Sequence, residues 1–144
     1  MEVLYPGSSQ VQREFDLEFF ELEEETATFI EPFTVTSYSV VHLPSEAPSY
    51  ALQLTCGGKV IAYSGDTEWT DTLIPVAHGA DLFICDCYSF ERGAKYHLDY
   101  QTLMDHRAEL GCRKLVLTHM NEEMLHKIQS LDVEGAEDGK SFVL

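Results

Sequence analysis

Three side chains that could bind a metal ion occupy the same kind of position in the sequence. His42, Asp66 and His119 each follow an apolar, strand-like stretch, at the point where it gives way to a loop. In layered α/β folds, binding sites are built at the C-terminal edge of the sheet, so we expect these side chains to lie close together. Histidine and aspartate are ligands of zinc and manganese, and an aspartate can bridge two ions. Each residue alone also fits an ordinary loop position, and Asp66 fits a helix N-cap, but the three together favour a metal site.

The stretch before Asp66 shows most clearly how the chain would position such a site. Residues 60–63 (VIAY) are apolar on both faces, which is typical of a strand that is buried on both sides. Gly65 allows the backbone to turn sharply after this strand, so that Asp66 projects from the edge of the sheet.

The hydrophobic pattern predicts a run of strands followed by alternating helices and strands. Strands are predicted over residues 14–23, 26–30, 33–41, 50–55, 59–64, 81–87 and 114–118, with a loop over 1–12 and an edge strand over 139–144. Helices are predicted within 70–78, from the N-cap Asp99 to Leu110 with Gly111 as the stop, and from Asn121 or Glu122 to about Leu131. This order predicts an α/β protein with a mixed β-sheet and helices on one face. No repeat or shift in composition marks a boundary, so residues 1–144 are predicted to form a single domain.

The composition argues against several functional classes. With 144 residues, 44% of them hydrophobic, the chain has the size of one domain or part of one and is not a disordered sequence. Nine Lys and Arg residues are set against 25 Asp and Glu residues, so the chain alone should bind nucleic acid and anionic membranes poorly. The sequence shows neither a signal-peptide pattern nor an apolar run long enough to cross a bilayer, which predicts a cytoplasmic protein.

The four cysteines, Cys56, Cys85, Cys87 and Cys112, do not have the spacing of a zinc site. Such a site would need two close-spaced pairs, and only Cys85 and Cys87 are close in sequence. These two would share one face of a strand, where successive side chains point in parallel and do not pair readily. We therefore expect free, buried thiols in a reducing compartment.

Several short stretches carry a resemblance to a known group of proteins. They are His42 with PSYAL at 48–52, the hairpin GGKV at 57–60 leading to YSGDT at 63–67, ADLFI at 80–84 before Asp86, His97-Leu98, and LVLTH at 115–119. Together they resemble the metallo-β-lactamase fold superfamily and, within it, the ribonuclease Z-like branch. The resemblance runs from about Glu14 to the C-terminus.

The resemblance implies roles for five residues. His42 would be a ligand of a first zinc ion, Asp66 would bridge two zinc ions, and His119 would be a ligand of the second. His97 matches a histidine that protonates the leaving group in ribonuclease Z, and Asp86 matches the acid that orients it, which is a Glu there. The implied chemistry is metal-assisted hydrolysis with attack on phosphorus or on a carbonyl carbon, as in a phosphodiesterase.

One motif of the superfamily is absent from the sequence. The string His-x-His-x-Asp-His, which supplies most ligands of both metals, does not occur, and none of the six histidines lies two residues from another. The chain therefore resembles only the C-terminal half of the αββα sandwich. Zinc in a catalytic site has three protein ligands of its own, so zinc or manganese should bind this chain alone only weakly. We expect the chain alone not to be a competent hydrolase.

Half of a sandwich would leave one face of its sheet uncovered, which predicts a partner. Candidate residues of that face are Phe15, Phe19, Val35, Val60 and Ile84. Either a homodimer or a missing N-terminal half would cover it. The alternative function is a non-catalytic remnant or dimeric binding module that keeps the fold and has lost the metal.

Overall fold

The computed structural model describes residues 20–43 and 48–144. The loop predicted over residues 1–12 and the first part of the strand predicted over 14–23 lie outside these ranges, as do Phe15 and Phe19. No helix in the described part of the chain is long and apolar enough to span a membrane.

Within the described residues, a seven-stranded sheet has its strands in sequence order. They are β1 (Thr28–Ile30), β2 (Phe33–Val40), β3 (Ser49–Cys56), β4 (Lys59–Tyr63), β5 (Leu82–Asp86), β6 (Leu115–Thr118) and β7 (Glu134–Gly135). Neighbours from β1 to β4 are antiparallel, and neighbours from β4 to β7 are parallel. Parallel neighbours need a crossover connection, which helices provide here. The predicted α/β class with a mixed sheet is confirmed.

The helices of the described ranges lie in the parallel half of the chain. They are α1 (Leu73–Ala77), α2 (Tyr100–Asp105), α3 (Arg107–Leu110) and α4 (Glu122–Lys127), the last continued by a 3-10 turn at Ile128–Ser130. The predicted N-cap Asp99 is confirmed, because it accepts a hydrogen bond from the Thr102 N–H. Asn121, one of the two predicted starts of the last helix, is its N-cap and accepts a hydrogen bond from the Met124 N–H. Gly111 ends α3 with a φ of 61°, the left-handed conformation that favours glycine.

The single helix predicted between Asp99 and Leu110 is divided in two at His106. The backbone of this residue has φ −100° and ψ 2°, outside the helical range. Its imidazole stacks on Trp69 with ring centroids 3.9 Å apart, and its Nδ1 lies 2.7 Å from Glu109 Oε1. These contacts hold the ring toward the loop that follows β4, and the helical pattern of the sequence does not reveal them.

The helices cover one face of the sheet and form the core with it. Ala51, Ala62, Phe83 and Leu117 on this face are fully buried. Val60 packs against the same core, so its placement on the uncovered face was wrong. The reason is strand alternation, since Val60 and Ala62 are two residues apart and point to the same side.

In the described part of the chain, the opposite face of the sheet is apolar and only partly covered. The register places on it half-buried or exposed side chains, namely Leu52, Leu54, Ile61, Tyr63 and Ile84. Val35 shares this face, as predicted, but is buried. The face ends at the C-terminal edge of β4 and β5, beside the candidate site described below.

The edge strand predicted over residues 139–144 was wrong. The strand that pairs with β6 is β7, which is only two residues long. Lys140 donates a hydrogen bond to the Gly135 carbonyl at 2.9 Å and lies 2.9 Å from Glu134 Oε1. The Lys140 side chain therefore holds the C-terminal segment against β7, and this segment does not add a further strand.

Candidate metal centre

Four of the predicted site residues meet at the edge of the sheet where the parallel strands have their C-terminal ends. Asp66 is in the loop after β4, Asp86 ends β5, His97 is in the loop between β5 and α2, and His119 directly follows β6. One potential ligand atom from each of Asp66, His97 and His119 lies within 4.8 Å of the other two. Residues far apart in sequence meet here because parallel strands bring their C-terminal ends to one edge.

Asp86 holds the ring of His97. Nδ1 of His97 lies 3.0 Å from Asp86 Oδ2, and the two side chains are 18% and 0% exposed. A carboxylate oxygen accepts, so Nδ1 carries the shared hydrogen, and Nε2 of the neutral imidazole keeps its lone pair. This arrangement suits a metal ligand and equally suits a residue that transfers a proton.

The other carboxylate oxygen of Asp86 is buried and has no hydrogen-bond partner in the described structure. The nearby Nδ1 of His119 is 3.5 Å away. Burial raises the pKa of Asp86 above its usual range, and the Thr67 N–H and the imidazole of His97 oppose this effect. A buried polar oxygen without a partner is costly, and a cation bound at this point would remove that cost.

His119 lies between two carboxylates on a strained backbone. Its Nδ1 is 3.5 Å from Asp66 Oδ1 and 3.5 Å from Asp86 Oδ1. Its φ is 56°, in the left-handed region that residues other than glycine rarely adopt. Such strain persists where surrounding contacts hold it and is concentrated at functional sites.

His42 faces the same point from the antiparallel half of the sheet. Its Nδ1 lies 3.0 Å from the carbonyl oxygen of Tyr96, and its ring centroid is 4.9 Å from that of His97. A carbonyl only accepts, so Nδ1 donates and Nε2 keeps its lone pair, as in many metal-bound histidines. His42 is not in the group of three with ligand atoms within 4.8 Å, but it lies beside that group.

Gly65 and Thr67 fix the backbone on both sides of Asp66. Gly65 has a φ of 63°, and a Cβ atom built on it would lie 2.6 Å from a carbonyl oxygen of β3. Thr67 is buried, donates from its N–H to Asp86 Oδ2 at 3.1 Å and accepts at Oγ1 from the N–H of Val41 at 3.2 Å. Thr67 thereby ties together the loops after β2 and β4 and the end of β5.

Tyr88 lies beside two residues of the candidate site, which the sequence did not reveal. Its ring centroid lies 5.1 Å from that of His97 and 5.6 Å from that of His119. A tyrosine just after a buried strand fits an ordinary packing role equally well, so its position in the sequence does not indicate a role in a site.

The donor atoms at this edge suit a divalent cation. One carboxylate and two imidazoles are typical ligands of zinc and manganese, and the unpaired oxygen of Asp86 adds negative charge beside them. The four cysteines are free thiols and are not part of this group. Burial raises the pKa of Cys87 to about 12, so this thiol stays protonated near neutral pH.

The sheet, its helices and the site at its edge define a protein with the metallo-β-lactamase fold. The crystal structure of the metallo-β-lactamase fold protein YhfI from Bacillus subtilis is similar with a TM-score of 0.68 and 19% identity, covering 93% of this chain and 58% of that chain. Human tRNase Z, short form, is similar with a TM-score of 0.58 and 22% identity over 77% of this chain and 42% of that chain. Zn²⁺-bound PqqB from Methylobacterium extorquens has a TM-score of 0.66 and 17% identity over 85% of this chain and 55% of that chain.

The chain belongs to the family of the anti-Pycsar protein Apyc1, whose sequence model matches residues 2–139. Among curated proteins, the probable metallo-hydrolase YhfI of Bacillus subtilis (strain 168) is 30% identical over 98 residues, which are 66% of this chain and 39% of that protein. The uncharacterized protein Rv1339 of Mycobacterium tuberculosis is 33% identical over 96 residues, which are 62% of this chain and 35% of that protein. The chain thus spans well under half the length of these relatives.

Proposed function

We propose that this chain supplies half of the active site of a metal-dependent hydrolase that cleaves a phosphoester bond. The proposal depends on one observation, the convergence of Asp66, His97 and His119 beside the unpaired carboxylate oxygen of Asp86. The similarity in fold to human tRNase Z, a nuclease by name, supports a phosphodiester as the bond that is cleaved. Zn²⁺-bound PqqB, a protein of similar fold, supports zinc as the metal, with manganese as the other candidate.

Five residues have roles in this proposal. Asp66 and His119 would hold a divalent cation at the ends of β4 and β6, and His42 would be the ligand of a second ion. A divalent cation bound here would act as a Lewis acid and lower the pKa of a bound water. His97 would take up a proton on Nε2 from solvent and give it to the leaving oxygen, while Asp86 fixes the ring through Nδ1 and would stabilise its charged form.

The proposal also holds that the metal site of this chain alone lacks some of its ligands. A zinc site for catalysis has three protein ligands and a water, and two such sites need more donors than the three proposed ligands His42, Asp66 and His119. The chain also spans only 39% of its relative YhfI. The remaining ligands would come from a second copy of the chain or from an N-terminal half of the fold.

The sheet supports one position for the proposed partner. The partly covered apolar face, with Leu52, Leu54 and Ile61, leads directly to the candidate metal centre. A partner seated on this face would bury its apolar surface and could reach the site with further ligands. Long RNA is disfavoured as a substrate of this chain alone because its formal net charge is −16.

Metal uptake tests the proposal directly. Protein purified without chelator is dialysed against zinc or manganese, and bound metal is measured by elemental analysis for the wild type, Asp66→Ala and His97→Ala. We expect uptake by the wild type and loss of uptake in Asp66→Ala. His126→Ala, a change at an exposed position on α4, is the matched control and should bind metal like the wild type.

Hydrolysis of bis(p-nitrophenyl) phosphate then separates two roles for His97. If this residue transfers a proton, His97→Ala keeps its metal and loses about 10²–10⁴-fold of whatever activity the assembled site shows. If it is a ligand, His97→Ala loses metal together with activity. Unchanged uptake in Asp66→Ala would rule out the proposed site, and no uptake by the wild type would favour the non-catalytic binding module.

A further inference from the structure

We propose that Tyr88 is a positioning residue, whose ring sets the orientation of His97 and His119 at the metal centre. The inference rests on the metal site proposed above. It concerns an aromatic side chain that would contact neither metal nor substrate and would act through the two imidazoles.

Three rings form a compact group at this point. The centroid of Tyr88 lies 5.1 Å from that of His97 with an interplanar angle of 29°, and 5.6 Å from that of His119 with an angle of 52°. The centroids of the two histidines are 4.9 Å apart. These separations are within the range in which aromatic rings attract one another, so Tyr88 packs against both imidazoles at once.

The backbone of Tyr88 connects the two segments that carry these histidines. Its N–H donates to the carbonyl of Leu98, the residue after His97, at 2.9 Å. Its carbonyl accepts from the N–H of Asn121, two residues after His119, at 2.8 Å. Tyr88 is therefore held from both sides, and a ring on a fixed backbone can serve as a rigid support.

The polar contacts of the two histidines do not by themselves fix the tilt of their rings. The bond from His97 Nδ1 to Asp86 fixes the position of one atom, but the ring can still tilt about it until a second contact holds its face. Nδ1 of His119 is 3.5 Å from each of two carboxylate oxygens, and its backbone has a φ of 56°. Packing against Tyr88 restrains both rings at once, whereas the edge contact with His42 restrains only His97.

Cobalt affinity and spectrum test the role of the Tyr88 ring. Co²⁺ is titrated into the wild type, Tyr88→Ala and Tyr88→Phe, following the visible absorption of the bound ion. Loss of a supporting group around a metal ligand costs about 10–100-fold in metal affinity, so we expect at least a tenfold weaker Kd and altered bands for Tyr88→Ala. Tyr88→Phe should restore both, since the ring is retained.

Tyr100→Ala is the matched control. Tyr100 stacks on Phe90, with centroids 5.4 Å apart, and is not stacked on the two histidines. The Tyr100→Ala substitution should therefore leave the affinity for cobalt unchanged. Wild-type affinity in Tyr88→Ala, or an affinity in Tyr88→Phe as weak as in Tyr88→Ala, would overturn the inference.

Histidine resonances of the metal-free protein separate this inference from the proposed function. Tyr88→Ala should shift the imidazole signals of His97 and His119 and broaden them, while those of His78 and His126 stay in place. This result would support the positioning role even if the wild type bound no metal, which would count only against the proposed hydrolase. Unmoved signals of His97 and His119 would refute the positioning role whatever the metal result.

Discussion

Replacing Gly65 with alanine should damage both the fold and the metal centre, because two separate penalties meet at this residue. Gly65 has a φ of 63°, where an alanine is strained by about 1–2 kcal/mol. The added Cβ would also lie 2.6 Å from the Tyr50 carbonyl oxygen. That oxygen belongs to the backbone of β3 and cannot rotate away, so the loop or the strand must shift.

The magnitude can be worked out with a second glycine as reference. Gly57 has a φ of 57°, but a Cβ there would meet nothing within 4 Å. Gly57→Ala thus carries only the conformational strain, partly offset by about 0.4–1 kcal/mol from the lower entropy of the unfolded chain. Gly65→Ala adds the steric clash, for which overpacking costs of about 1–3 kcal/mol are typical. We expect Gly65→Ala to be the more destabilising variant by about 1–3 kcal/mol.

Urea denaturation of the two variants, each followed by circular dichroism, measures this difference. Zinc affinity by calorimetry gives an independent measurement, because the shift at Gly65 moves the adjacent Asp66 and should weaken binding, while Gly57→Ala should bind as the wild type does. Equal free energies of unfolding for the two variants would show that the contact with β3 does not exist. Normal zinc affinity in a destabilised Gly65→Ala would show that Asp66 is not held by this turn.

Three further predictions concern thiols, acid stability and assembly. In the native chain only Cys56 should react with DTNB, because the other three thiols are buried and burial raises the pKa of Cys87 to about 12. All four thiols should react in guanidinium. Rapid labelling of the native Cys56→Ser variant would contradict this prediction. The Val60 N–H and the nearby cations of Lys59 and Arg113 hold the pKa of Asp81 below its usual range. The stability that this lowered pKa contributes is complete above the usual pKa of an aspartate and is lost as the pH falls from there through the lowered pKa of the folded protein. Asp81→Asn should therefore flatten the acid limb of a stability–pH curve, and an unchanged limb would count against the pairing. In sedimentation velocity the chain should self-associate through its partly covered sheet face, and a stable monomer at micromolar concentration would contradict this prediction.

Much of the fold could be predicted because local chemistry determines it. Asp99 and Asn121 each cap a helix by an interaction within three residues, which the sequence shows directly. The alternation of the strands and the glycines of the hairpin are equally local. The position of β7 could not be predicted, since a strand of two residues has no periodic pattern.

The candidate site shows the same division between local and long-range information. His42, Asp66 and His119 could be named because each stands at the end of a strand, and strand ends of one sheet converge. The grouping of Asp66 and His119 with His97 could not be predicted from strand ends, because His97 lies in a loop and is held in place by its hydrogen bond to Asp86. Tyr88 and the break at His106 depend on ring contacts between distant segments, and no sequence pattern encodes such contacts.

An experimental structure of zinc-loaded protein, with anomalous scattering measured at the zinc edge, tests the central claim most directly. We predict an anomalous peak among Asp66, His97 and His119, within bonding distance of at least two of them, with Asp86 Oδ1 facing the ion or its bound water. A fully loaded crystal with no peak at this edge of the sheet, or with its zinc bound elsewhere, would contradict the account.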